Sequence, residues 1–183
     1  MKTSLFIFPF GLALSLAATS AFAYDGTINF SGKISSATCP IEIVNPESGA
    51  VSNLVPLGSV DASHFTATGS EGGGRGFQMR ITPNSTCVLD PDTLNAKVTF
   101  RSVQGGAGEY YGIKHVADAA TNVAVAIKDN TGTLIKGGIP SKLYPVDENN
   151  PTLMYFNAVY IAIATPVGPG PADADVEFRV DFE

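Results

Sequence analysis

The chain has 183 residues, a formal net charge of −6, two histidines, two cysteines and no tryptophan. An acidic chain with few basic residues is a poor ligand for phosphate backbones, so nucleic acid is excluded as a partner. Two cysteines without further soft ligands also leave no basis for a structural zinc site.

Residues 1–23 carry one positive charge at Lys2, an apolar run from Leu5 to Ala18, and a small-residue Ala21-Phe22-Ala23 ending. This is the pattern of a secretory signal peptide, too short and too interrupted by Pro9, Gly11 and Ser15 to span a bilayer well. Without it the chain begins at Tyr24 and keeps 160 residues, 10 basic against 17 acidic, a net −7. That length suits one domain. In an oxidising compartment the pair Cys39 and Cys87 is expected to form one disulfide.

Past Tyr24, short runs of β-branched and aromatic residues alternate with Gly, Pro, Asn and Asp, which predicts an all-β domain. The predicted strands are 27–35, 41–44, 52–56, 77–82, 96–102, 123–129, 157–165 and 176–182. Strands at this spacing suggest a β-sandwich of immunoglobulin-like architecture, with the strand order left open. Asp129-Asn130-Thr131-Gly132 is expected to close a hairpin, because Asn and Gly tolerate the positive φ such turns need. A short helical turn is expected within 60–69, an irregular connection over 103–121, and a flexible loop over the glycine-rich 72–76.

Period-two alternation is clearest at two places: Ile28, Phe30, Gly32 and Ile34, and Val176, Phe178, Val180 and Phe182. Each set lies on one face of a strand. No hairpin partner follows the second strand in the sequence, which leaves an edge open to another chain. The first strand has two readings from alternation alone: it completes its own domain, or it adds to the open edge of a neighbour by β-augmentation.

Chemistry-bearing motifs are sparse. His64 and His115 lie outside any metal or nucleophile motif, so no catalytic residue, metal ligand or cofactor is expected and an unrelated secreted enzyme is a distant alternative. The run 72–76 lacks the Lys-Ser/Thr of a phosphate loop, and Asp90-Pro91-Asp92 with Asn95 lacks the glycine and closing glutamate of an EF-hand. Asn84-Ser85-Thr86 matches a glycosylation sequon, and Tyr110-Tyr111 is an aromatic pair suited to core or turn packing.

The stretches Gly26-Thr27-Ile28-Asn29-Phe30-Ser31-Gly32-Lys33-Ile34 and Ser36-Ala37-Thr38-Cys39, then Leu57-Gly58, Cys87, residues 156–162 and the ending 174–183, resemble the type 1 family of fimbrial subunits assembled by the chaperone-usher pathway. The resemblance covers essentially all of the chain after residue 23. It implies an incomplete immunoglobulin-like β-sandwich, missing its last strand and completed by donor-strand complementation. It assigns residues 24–34 as the donor extension, with Ile28, Phe30, Gly32 and Ile34 facing a groove, and 35–183 as the pilin domain. Gly170 and Phe182 fall where such subunits carry a glycine fourteenth from the end and a penultimate aromatic, usually Tyr. The implied partners are a periplasmic chaperone, an outer-membrane usher and neighbouring subunits in a homopolymer. The implied location is a fimbria at the cell surface, reached through the periplasm and supporting cell adhesion, with any host receptor unspecified. A minor tip-associated or adhesive subunit is the alternative within the same family.

Overall fold

The computed structural model describes residues 39–85, 87, 89 and 94–183. Among them ten strands form two sheets. The strands are β1 Ile41–Val44, β2 Glu71–Ile81, β3 Asn95–Ser102, β4 Gly106–Ala107, β5 Tyr110–Tyr111, β6 Val123–Asp129, β7 Leu134–Ile135, β8 Tyr144–Pro145, β9 Thr152–Ala162 and β10 Val176–Phe182. The larger sheet runs β1-β2-β9-β6-β5-β4, with β7 also on β6, and the smaller runs β10-β3-β8. Every pairing is antiparallel.

Sequence explains the position of each main strand. In β3, Ala96, Val98 and Phe100 are buried while Lys97 and Arg101 alternate with them, as in a strand with one face on the core. In β6, Val-Ala-Val-Ala-Ile is buried on both faces, so its pattern is continuous rather than alternating, as expected of an interior strand. The two sheets meet over Phe77, Phe100 and Phe156, whose rings stack or cross edge to face with centroids 5.3–6.3 Å apart. Tyr111 is also buried here, its hydroxyl donating to the Ile135 carbonyl at 2.9 Å. Burial pushes its phenol well above the ordinary range.

The hairpin expected at 129–132 is present, pairing Ile127 with Ile135 and Lys128 with Leu134, with Gly132 at φ 82°. Asp129 holds it together. Its Oδ1 accepts from the Thr131 N–H and hydroxyl and from the Thr133 N–H at 2.6–3.0 Å. Burial raises the affinity of that carboxyl for a proton, but these bonds and the Lys142 charge outweigh burial and hold its pKa below the ordinary value.

Several expectations need correction. Residues 72–76 are not a loop: they lie in β2, where the register against β9 shifts between Gly72 and Arg75. The glycines permit close approach, since a Cβ on Gly73 would come within 2.8 Å of the Leu57 carbonyl oxygen and one on Gly74 within 2.7 Å of Val159. Residues 52–56 form no strand; Val51 makes only an isolated bridge to Val44. The stretch 103–121 is not wholly irregular, because β4 and β5 lie within it. β9 spans Thr152–Ala162, beginning before the predicted start at 157 and ending before 165. The helical turn within 60–69 is a single 3₁₀ turn, Ala62–His64, capped by the Asp61 carboxylate on the Ser63 N–H at 2.8 Å.

Cys39 and Cys87 are joined, closing a loop across 48 positions. Restricting the unfolded chain this way is worth about 4 kcal/mol. Replacing both cysteines by serine is therefore expected to lower the unfolding free energy by that amount in a denaturant titration; an unchanged midpoint would contradict it.

Candidate functional site: an open groove beside the last strand

An immunoglobulin-type sandwich places four strands in one sheet and three in the other, with the seventh strand pairing with the sixth. Here β1, β2, β9 and β6 supply the four, and β3 and β10 supply two of the three. β3 is covered on both edges: β10 pairs along its length, and residues 138–145 follow its other side, with Gly138 and Ser141 donating to the Phe100 and Val98 carbonyls at 2.8 Å. Beyond β10, no strand lies alongside among the described residues. The place of the seventh strand is a groove.

The groove has a volume of about 1040 Å³. One wall is residues 172–178, the start of β10 with its lead-in, the other is residues 53–58 with Ile41 and Ile43, and the floor includes Phe77, Phe100, Val125, Ile127 and Tyr160. A recess of about 260 Å³ adjoins it at Val44, Leu54 and Arg75. The bulge in β2 fixes the second wall, because the Gly74 N–H, turned outward there, donates to the Leu57 carbonyl at 2.9 Å.

The four predicted residues of β10 share the inward face but differ in cover. Val176, Val180 and Phe182 pack against the core; of the four, Val176 and the 40% exposed Phe178 line the groove, and Val180 and Phe182 are not among its lining residues. An inward-facing aromatic left this open marks missing packing opposite it. Leu54, on the other wall, is 77% exposed. Backbone without a strand partner accompanies the bare side chains: residues 53–56 make no backbone–backbone hydrogen bond with a described residue, Leu54 bonding only to the Ser52 hydroxyl, and the outer edge of β10 makes none. A strand laid in the groove could bond to both walls and bury both sets of side chains.

Charge gathers at one end. Asp173, Asp175 and Glu177 all line the rim, against one cation among the described lining residues, Lys114. Lys114 pairs with Asp175 at 2.9 Å, which holds that carboxyl below its ordinary pKa and raises that of the ammonium. Burial raises the Tyr160 phenol on the floor.

Gly170 is not among the groove-lining residues. It lies in the loop before β10 at φ 152°, where a Cβ would come within 2.1 Å of the Asp118 carbonyl oxygen. Its lack of a side chain is explained by the close contact of two loops. Ile28, Phe30, Gly32 and Ile34 fall outside the described residues, as do residues 1–23 and 90–92. His64 is exposed, with Nε2 3.0 Å from the Glu71 carbonyl oxygen. Among the described residues no group of three or more His, Cys, Asp or Glu side chains is placed to hold a metal ion.

Sequence reading missed the second wall and the acidic rim. Ile41 and Ile43, flanking Glu42, did carry a signal in their alternation. Residues 52–56 are predicted as a strand and Leu57-Gly58 enters only through the family resemblance, so the segment is marked but its place as a wall is not, because an unpaired segment has no period to give its face. The acidic rim could have been read from Asp173, Asp175 and Glu177, spaced two apart as they are on one side of an extended chain.

The described residues thus build a two-sheet immunoglobulin-like domain in which none of them fills the seventh-strand position, and the chain belongs to the fimbrial protein family: the family model described as "Fimbrial protein" matches residues 28–183. Among its relatives is the long polar fimbria protein A of Salmonella typhimurium, 30% identical over 175 residues and 93% of each chain. The type-1 fimbrial protein A chain of Escherichia coli K12 is 29% identical, again over 93% of each chain. A protein of Escherichia coli O157:H7 described as a probable major fimbrial subunit is also 29% identical, with the same coverage. Among solved structures, an antigen and type I fimbria protein of Burkholderia pseudomallei superposes with TM-score 0.56 and 31% identity, over 85% of this chain and 97% of that one. The P pilus rod subunit PapA shares the fold at TM-score 0.56 and 13% identity, over 79% and 99%.

Proposed function

We propose that this chain is a structural subunit of a bacterial fimbria that polymerises by placing residues 24–34 of one copy in the groove of the next. The observation that carries the reading is the seventh-strand position beside β10, which no described residue fills, with Phe178 facing inward and 40% exposed. Residues 24–34 have the matching character. Ile28, Phe30 and Ile34 recur on one face with Gly32 between them, and burying the three large side chains is worth roughly 5 to 9 kcal/mol before main-chain bonds and ordering costs. The similarity to a relative described as a probable major subunit supports a shaft role over a tip-associated one.

On this reading residues 1–23 are removed on export, a periplasmic chaperone covers the groove until assembly, and an outer-membrane usher delivers the subunit to the surface fimbria. The fimbria then supports adhesion as a polymer. No bond is made or broken in that role; the chemistry is burial and backbone pairing.

The test is Phe30→Asp in the full chain, expressed with its assembly partners. A carboxylate placed in an apolar groove without a partner is strongly disfavoured. Surface fimbriae, counted by electron microscopy, are expected to fall at least about tenfold while the periplasmic subunit remains detectable. Undiminished fimbriae would contradict strand donation.

A further inference from the structure

From the charge on the groove rim we infer that Lys33 determines the direction and partner choice of the incoming strand, by meeting the acidic row Asp173, Asp175 and Glu177 of the receiving copy. The inference rests on the strand-donation reading and adds to it which side chain outside the groove is selected.

The row is an excess of negative charge. Among the described residues lining the groove Lys114 is the only cation, and its ammonium is taken by Asp175, whose other oxygen accepts from Gln104 at 3.3 Å. Asp173 and Glu177 form no salt bridge with a described residue, although Arg101 lies opposite Glu177 on β3. Two carboxylates therefore remain for an incoming cation.

The donor segment carries one cation and one anion, Lys33 and Asp25, near its two ends. Both sit in the odd-numbered row, on the face opposite Ile28, Phe30, Gly32 and Ile34. Once those four point inward, Lys33 and Asp25 emerge on the same side as the odd-numbered residues of β10 and its lead-in.

A seventh strand pairs antiparallel with the sixth in this architecture. Keeping the apolar row inward then allows only shifts in steps of two. Three successive registers put Lys33 opposite Asp173, Asp175 or Glu177: an unpaired carboxylate lies directly opposite in the first and third, and diagonally on either side in the second, where Asp175 is already paired with Lys114. The next shift puts it opposite Arg179, where like charges repel. In the first two of these registers Asp25 falls opposite Asp181 or Glu183, and with the strand reversed Lys33 falls there instead, but those two carboxylates are already paired with Arg179 and Lys97. What differs between the directions is the unpaired end: the reversed strand puts Asp25 opposite Asp173, Asp175 or Glu177, and the match becomes a repulsion. The charges thus reject the wrong direction and bound the register, which non-directional apolar burial cannot do. The same rule disfavours donor strands from other subunits that carry an acidic residue at this position.

The experiment uses the purified chain lacking residues 1–23, refolded under conditions where it polymerises, with a synthetic peptide of residues 24–34 as competitor. The readout is the peptide concentration that halves the amount of polymer. The native peptide is expected to block polymerisation, and the Lys33→Glu peptide to need about tenfold more at low salt. That gap should shrink at about 0.5 M NaCl, where charges are screened within a few ångströms. On a chain carrying Asp173→Lys and Glu177→Lys the order of the peptides should invert. If that chain does not fold, Asp173→Asn with Glu177→Gln serves, and the preference for Lys33 should vanish. Equal potency of the two peptides on the unaltered chain at low salt, or a preference that persists on the neutralised rim, would overturn the inference while leaving strand donation intact. A native peptide that fails to block at all would instead overturn the strand-donation reading.

Discussion

Removing residues 179–183 is expected to abolish the folded subunit. Val180 and Phe182 pack against the core, and their loss removes about 3 to 6 kcal/mol of apolar burial. The same cut deletes the pairing of residues 179–182 with 96–99, and exposes Ala96 and Val98, which are fully buried. Against a typical total stability of about 5 to 15 kcal/mol, the sum is enough to unfold the domain. The truncated chain should be absent from the periplasm and form no fimbriae. Phe178→Ala is the informative control: its side chain is 40% exposed in the uncovered groove, so the isolated domain should lose little, while the polymer junction weakens. Normal periplasmic levels of the truncated chain would count against β10 as the core-forming last strand.

That contrast also shows what could be read from sequence. The period-two pattern of 176–182 fixed the strand and its inward face, because alternation follows directly from strand geometry. It could not distinguish Phe178 from Val180, since exposure depends on what lies across the groove. The hairpin at 129–132 was legible because its turn needs particular residues, Gly132 at positive φ above all. The glycine run 72–76 was misread for the opposite reason. Glycine marks both loops and close approaches, and only the position of Leu57 and Val159 tells them apart. Short β4, β5, β7 and β8 owe their pairing to neighbours rather than to their own two-residue patterns.

The central claim, that residues 24–34 are a strand fitted to this groove, is tested most directly by moving them. Attach a copy of 24–34 after Glu183 through a short flexible turn and delete the original. The copy can then fold back antiparallel along β10, covering Phe178 and Leu54 from within and leaving no free donor. Contacts that otherwise join two molecules become intramolecular and avoid the entropy cost of association. The expected product is a soluble monomer, more stable than the chain simply lacking 24–34 by roughly 5 to 9 kcal/mol less the cost of ordering the turn. Phe30→Asp in the relocated copy should erase most of that gain. Denaturant unfolding of the three proteins side by side decides the matter: a midpoint well above the deletion for the relocated strand alone is the predicted result, and one shared midpoint for all three would contradict the account.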